Sequence, residues 1–398
     1  MNPELANLHP YPFEKLAELQ KGCQPPQHLP HIALSIGEPK HPTPGFITEA
    51  VISHLHGLSI YPTTAGSHEL RQTIAKWLDQ RFQLAGHINA QTQILPLNGT
   101  REGLFSFAQA VVDRTDDPLV VMPNPFYQIY EGAAILAGAR MHFLNCTDEN
   151  GFIPDFDNVP GSVWTQCQLL YICSPGNPSG AVIDAEVMTR LIQLAHEYDF
   201  VIAADECYSE IYFDEALPPV GLLQAAVAAG YTDLSRCVVF HSLSKRSNAP
   251  GLRSGFVAGD AKIIKEFLRY RTYHGCAMPP ATQSASIAAW NDEAHVAHNR
   301  TLYREKFQSV LEILQPVMKV SQPEASFYLW AETPIADTDF ARELFNQFNV
   351  TVLPGRFLAR DTKHGNPGIN RIRMALVASQ EECVEAACRI RQFIESLS

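Results

Sequence analysis

Lys245 ends the stretch Cys237-Val-Val-Phe-His-Ser-Leu-Ser-Lys245, an apolar run followed by one short serine-rich turn. A lysine presented at the end of a buried strand gives up its proton easily, because desolvation and neighbouring positive charge both lower an ammonium pKa. The neutral amine can then attack a carbonyl and hold it as a Schiff base. Four further residues share its kind of position. Gln168-Leu-Leu-Tyr-Ile-Cys173 reads as a strand running into Ser174-Pro-Gly-Asn-Pro-Ser-Gly180, which puts Asn177 on a turn at a strand's carboxyl end. Asp199-Phe-Val-Ile-Ala-Ala204 reads as its neighbour and ends in Asp205-Glu-Cys-Tyr208, a carboxylate and a phenol. Arg253 follows Lys245 by eight positions, between Gly251 and Gly255, which let backbone come close to an anion. Ligands of open α/β sheets bind at such strand ends.

Each residue also has a plainer reading. Tyr127 and Tyr208 suit a core or an interface, where a ring buries area and its hydroxyl finds a partner. Asn177 and Gly180 suit an ordinary turn, Asp205 a helix N-cap, and Arg253 and Arg373 a surface ion pair. The plain readings leave unexplained why all fall in one order, each at a strand end or helix start.

In that order the residues resemble the class I/II, fold-type I aminotransferases, over about Ile36 to Arg373. The resemblance implies pyridoxal 5'-phosphate as cofactor, with Lys245 as the lysine that carries it and Asp205 as the carboxylate paired with the pyridinium nitrogen. Asn177 and Tyr208 match the two donors to the 3'-oxygen, and Tyr127, in Pro123-Asn-Pro-Phe-Tyr127, the ring that stacks on the cofactor. Pro96-Leu-Asn-Gly-Thr-Arg-Glu-Gly-Leu-Phe105 reads as a turn opening a helix, where the N–H groups of Gly99, Thr100 and Arg101 would hold a phosphate. Ser242 and Arg253 match the side-chain phosphate contacts, and Tyr61 the tyrosine that the family supplies from a partner subunit, which implies a homodimer. Arg373, in Asn370-Arg-Ile-Arg-Met-Ala375, falls where the family's α-carboxylate arginine stands, and a guanidinium fork matches a carboxylate bidentately. Gly37 and Asn177 match further substrate contacts.

The segments Leu8-His-Pro-Tyr-Pro-Phe-Glu-Lys-Leu16, Ser35-Ile-Gly-Glu-Pro-Lys-His-Pro-Thr-Pro44 and Val352-Leu-Pro-Gly-Arg-Phe-Leu-Ala-Arg360 are similar to the succinyldiaminopimelate aminotransferases of lysine and diaminopimelate synthesis. This implies ping-pong exchange with 2-oxoglutarate. Lys40 and Arg356 are the candidate attractors of a distal carboxylate. Acetylornithine, aspartate or aromatic amino acids as substrates, or a β-lyase reaction, would keep the same constellation. A regulatory module that holds the cofactor as a ligand would bring a basic DNA-binding segment, expected to be absent.

Rival chemistries fit less well. Ser242-Leu-Ser-Lys245 satisfies the Ser-x-x-Lys pattern of acyl-transfer enzymes, but no Ser-Asp-Asn or Lys-Thr-Gly accompanies it. Fifteen histidines include no His-Glu-x-x-His, and nine cysteines no Cys-x-x-Cys, so no metal is expected. His31, His41, His54 and His56 read as surface or structural, and Cys207 as packing. A net charge of -12 argues against nucleic acid or an anionic membrane as partner. With no signal peptide or long apolar stretch, a cytoplasmic location and reduced thiols are expected.

The elements that must position these groups follow from periodicity. Leu119-Val-Val-Met122, Leu169-Leu-Tyr-Ile172, Val201-Ile-Ala-Ala204 and Val238-Val-Phe240 read as buried strands, and Asp184 to Tyr198 as a helix. A helical tract is expected from about Thr282 to Gln315. The fold class implied is α/β: a large domain over 47–282, its mostly parallel, seven-stranded-type sheet lying between helices, and a smaller α+β domain formed by 1–46 with 283–398.

Overall fold

The computed structural model describes residues 1–397. Its larger sheet has seven strands: β1 (Ile94–Leu97), β2 (Leu119–Asn124), β3 (Arg140–Asn145), β4 (Cys167–Cys173), β5 (Val201–Asp205), β6 (Cys237–Ser242) and β7 (Gly255–Gly259). They lie in the order β1-β7-β6-β5-β4-β2-β3, with β7 antiparallel to both neighbours and the other adjacent pairs parallel. Every residue of β2, β6 and β7 is buried, as expected of strands covered on both faces. One face packs under Leu78, Phe82, Leu191 and Trp290, the other under Leu104, Phe107, Tyr130 and Phe267.

Three strand ends meet at one level. Asp205 pairs in register with Cys173 of β4 and with Phe240 of β6, and Ser242 pairs with Gly255 of β7. The connection between the antiparallel pair β6 and β7 carries Lys245 on a four-residue helix, Leu243–Arg246. The next residue anchors it. Arg246, only 2% exposed, packs against the adjoining rings of Trp77 and Trp290 and donates to the Ala289 and Asp292 carbonyls, with Glu293 paired to it.

A second core lies beneath a three-stranded antiparallel sheet of β8 (Tyr328–Glu332), β9 (Leu353–Pro354) and β10 (Arg371–Ala375), in the order β9-β10-β8. Phe307, Leu329, Phe340, Met374 and Phe393 fill it. The N-terminal segment reaches this region, since Ile32 and Ala33 pair with Val350 and Thr351. Helix Pro12–Leu19 packs Leu16 against Trp330, Leu353 and Leu358. Among the described residues, no helix is long and apolar enough to cross a membrane.

Two expectations change at their edges. The strand read from Asp199 begins at Val201, because Asp199 takes a left-handed conformation (φ 64°) that caps helix Ala185–Tyr198. The single tract over 282–315 is two helices, Pro280–Trp290 and Ala294–Leu314. The break falls at Asn291-Asp292-Glu293, where the Asp292 carboxylate accepts from the His295 N–H at 2.9 Å and so competes with the helical ladder.

Candidate active site

The carboxyl ends of β4, β5 and β6, helix Thr100–Val111 and the loop after Ala33 enclose a cleft of about 530 Å³. Lys245 lines it and donates from Nζ to the Gly37 carbonyl. Burial pushes its ammonium down to about 8; Arg373 and Arg101 add to the effect, while Cys207 and Glu38 oppose it. The site therefore holds an amine that can be neutral near physiological pH.

Asp205 is 4% exposed. Its carboxylate accepts from Tyr130 Oη at 2.7 Å and from the Cys207 N–H at 3.3 Å, and no cation pairs with it among the described residues. Burial raises its pKa, with the Cys207 and Tyr130 donors and His241 pulling the other way. A buried carboxylate without a counter-ion suits a cationic ligand atom.

Arg373 is almost fully buried. It donates to Asn177 Oδ1 at 3.0 Å and to the Ser35 carbonyl at 2.8 Å, and its guanidinium lies 4.4 Å from the Tyr328 ring centroid. Its Nε is buried without a partner. Arg373 also lines the cleft, where a guanidinium fork is equipped for a planar anion. Tyr208 Oη lies 3.1 Å from Tyr328 Oη, and burial raises its pKa, so its proton stays available for donation. Tyr127 accepts from Arg101 Nε at 2.7 Å, which fixes its ring against the cleft.

A second anion position lies at the start of helix Thr100–Val111. Gly99 has φ 90°, and a Cβ there would stand 2.1 Å from Arg253 Nη2, so only glycine lets the guanidinium cross. Arg253 is held by the Pro250 carbonyl at 2.8 Å and the Asn98 carbonyl at 3.3 Å, beside the free N–H groups of the first helical turn. Ser242 Oγ faces the cleft and donates to Ser244 Oγ at 2.9 Å.

The structure thus gathers Lys245, Asp205, Asn177, Tyr208, Tyr127, Thr100, Arg101, Ser242, Arg253, Arg373 and Gly37 around one cleft, with Gly99 directly beneath Arg253. Three expected residues are not brought in. Tyr61 is fully exposed. Lys40 does not line the cleft, and Arg356 lies in a separate depression with its guanidinium committed to the buried Asp337 at 2.7 Å. That ion pair corrects the expectation that Arg356 awaits a substrate carboxylate. Besides Lys245, Arg253 and Arg373, the cleft is lined by the Arg101 side chain, which pairs with no carboxylate among the described residues.

Sequence reasoning missed Tyr130, Tyr328, Ser244 and the Tyr11-Pro12-Phe13 wall. Ser244 stands next to Lys245 and the Tyr11-Pro12-Phe13 wall lies in the Leu8–Leu16 segment, whereas neither Tyr130 nor Tyr328 had a local signal. A cofactor offering an aldehyde, a cationic ring nitrogen and a phosphate answers the amine, the unpaired carboxylate and the glycine-backed arginine together.

A family model described as aminotransferase class I and II matches residues 30–390. The LL-diaminopimelate aminotransferase of Maridesulfovibrio salexigens is 31% identical over 397 residues, covering 97% of each chain. Among solved structures, an aminotransferase from Neisseria meningitidis superposes with a TM-score of 0.94 at 51% identity, over 99% of this chain and 100% of that one. A probable N-succinyldiaminopimelate aminotransferase from Thermus thermophilus does so with 0.85 at 26%, over 96% and 99%.

Proposed function

This chain belongs to the class I and II aminotransferases, a pyridoxal-phosphate-dependent family, and on that premise we propose that it exchanges an amino group between N-succinyl-LL-2,6-diaminopimelate and 2-oxoglutarate. Lys245 would hold the cofactor, and its Nζ would move the substrate α-proton as general base and then acid. Asp205 pairs with the ring nitrogen and keeps it protonated. When bound, the cofactor supplies an electron sink for the charge left at the α-carbon. Asn177 and Tyr208 would hold the ring oxygen and Tyr127 the ring itself. The backbone of Gly99, Thr100 and Arg101, with Ser242 and Arg253, takes the phosphate. Arg373, with Asn177 and the Gly37 backbone, orients the α-carboxylate, so the bond to be broken is presented in one geometry.

The Arg101 guanidinium carries the substrate reading. With Arg253 given to the phosphate and Arg373 to the α-carboxylate, Arg101 is the cation left in the cleft, which suits an amino acid with a further acidic group. Glu38 also lines the cleft and favours a second reading, LL-diaminopimelate itself, whose distal ammonium it would face; the curated relatives carry that name. Initial rates with each donor and 2-oxoglutarate, followed by glutamate formed, separate the two. A kcat/KM at least tenfold higher for the succinylated donor supports the first reading, the reverse supports the second, and no turnover of either removes both.

We further propose a homodimer. Ile52, Leu55, Leu58, Ile60 and Tyr61 form an exposed apolar run within ten residues of chain, the kind of surface a second copy covers. Sedimentation of the purified protein at twice the chain mass is the expected result.

A further inference from the structure

The loop that supplies the cleft with its two backbone acceptors is tied down at its far end by an unusual histidine. Ser35 and Gly37 accept from Arg373 and Lys245. Four residues beyond Gly37, the His41 ring lies 4.8 Å from the Tyr303 ring and between two partners on helix Ala294–Leu314. Nδ1 is 2.8 Å from Asn299 Oδ1, and Nε2 is 2.6 Å from Lys306 Nζ. Asn299 Oδ1 also accepts from Asn248 Nδ2 at 3.1 Å, and Thr43 Oγ1 donates to the Asn248 carbonyl at 2.5 Å. Asn248 stands three residues after Lys245. One node therefore joins the Ser35–Pro44 loop, the turn that follows the lysine and the long helix.

We propose that neutral His41 is a positioning residue, a latch that fixes the Ser35–Pro44 loop so that the Gly37 and Ser35 carbonyls meet Lys245 and Arg373, and that its protonation opens the latch. Burial lowers both groups, but lysine is ordinarily much the stronger base, so the Lys306 proton donates to a bare Nε2 and the ring proton sits on Nδ1. Lys306 is 3% exposed and has no carboxylate paired to it among the described residues. A proton on Nε2 would set two cations against each other in a site closed to water. Around the pair stand His298 on the same helix, Lys40 on the loop, and Glu381, Glu382 and Cys383 at the start of the C-terminal helix. Burial lowers the His41 pKa; the Asn299 hydrogen bond opposes this, and Lys306 and His298 add to it.

The test compares wild type with His41→Gln and His41→Phe. Glutamine can accept from Lys306 and donate to Asn299 but cannot be protonated; phenylalanine keeps only the ring packing. In the holoenzyme, KM for an amino-acid donor that wild type uses is followed from about pH 8 to about pH 5.5, across the ordinary histidine range. The wild-type KM should rise at the acid end, His41→Gln should abolish that rise, and His41→Phe should raise KM about tenfold throughout, the worth of one lost charge-assisted hydrogen bond. A second arm melts the apo-protein over the same range. With the folded pKa below the unfolded one, the unfolded chain takes the proton first as pH falls, so wild type should lose more stability below about pH 6.5 than His41→Gln. An acid rise of wild-type size in His41→Gln, or identical pH dependence of melting, overturns the latch. The kinetic arm rests on the transaminase reading and the melting arm does not, so the failure of one is distinguishable from failure of the other.

Discussion

Replacing Arg373 by alanine isolates the contact on which, in the proposed function, amino-acid binding depends. The guanidinium is buried and already carries two hydrogen bonds, to Asn177 and Ser35, with Nε free. An incoming carboxylate adds two charge-assisted bonds, each worth about 1.5–3 kcal/mol. Their loss amounts to about 3–6 kcal/mol, or roughly 10²–10⁴ in kcat/KM at about 1.4 kcal/mol per tenfold. The truncation also leaves Asn177 Oδ1 and the Ser35 carbonyl unsatisfied, at about 1–3 kcal/mol of stability, so a fall in activity alone would be ambiguous. The informative quantity is a ratio. Conversion of the cofactor absorbance in single turnovers is measured with an amino acid and with the matching amine that lacks the α-carboxylate. Wild type should prefer the amino acid by the factor above and Arg373→Ala should lose that preference, with Arg373→Lys between them because it keeps the charge and loses the fork. If Arg373→Ala slows both donors by the same factor, the arginine is a structural brace and the carboxylate assignment fails.

Three other outcomes are expected. Acylation of Lys245 in the apo-protein, read by mass spectrometry of its peptide, should rise with a midpoint about pH 8, and Lys245→Ala should bind cofactor without turning over; a midpoint above about pH 10, that of an exposed lysine, would contradict the burial argument. Asp205→Asn should lower kcat by at least about 10², since an amide cannot hold the ring nitrogen protonated, while retaining cofactor on a desalting column; a loss under tenfold would remove that role. Arg101→Ala should raise KM about tenfold for donors with a distal carboxylate and spare alanine, whereas Arg356→Ala should leave KM alone and lower the melting temperature, because Asp337 is 0% exposed and would be left unpaired. Equal KM effects from the two variants would reverse the assignment of the distal cation.

What sequence made legible was the chemistry placed by short local patterns. Asn177, Asp205 and Lys245 each follow an apolar run directly, so the strand that presents them is written beside them, and β4, β5 and β6 bear this out. Gly99 and Arg253 were also legible, though why glycine is required became clear only from the arginine crossing above it. Partners separated by long stretches of chain were not legible. Tyr130 meets Asp205 across the sheet and Tyr328 meets Tyr208 from the second core, and no local pattern marks either tyrosine. Arg356 shows the converse, because a charge in a suggestive motif says nothing of the partner that folding gives it. Asp337, nineteen residues upstream, had already claimed Arg356. His41 carried no sequence signal at all, since its meaning depends on a lysine from a distant helix.

The burial of Arg246 against Trp77 and Trp290 bears on how the site moves. In the proposed function Lys245 must detach from one atom and reach another in every cycle, yet the residue beside it is fixed in the protein interior by two rings and two carbonyls. The backbone under Lys245 therefore has little freedom, and travel is left to the four methylenes of its own side chain. Such rotations take picoseconds to nanoseconds, whereas loop rearrangements take up to microseconds and domain motions longer still. On the proposed reading Nζ can sample both ends of its path many times in each lifetime of a bound substrate, so travel of the side chain is not what limits the cycle.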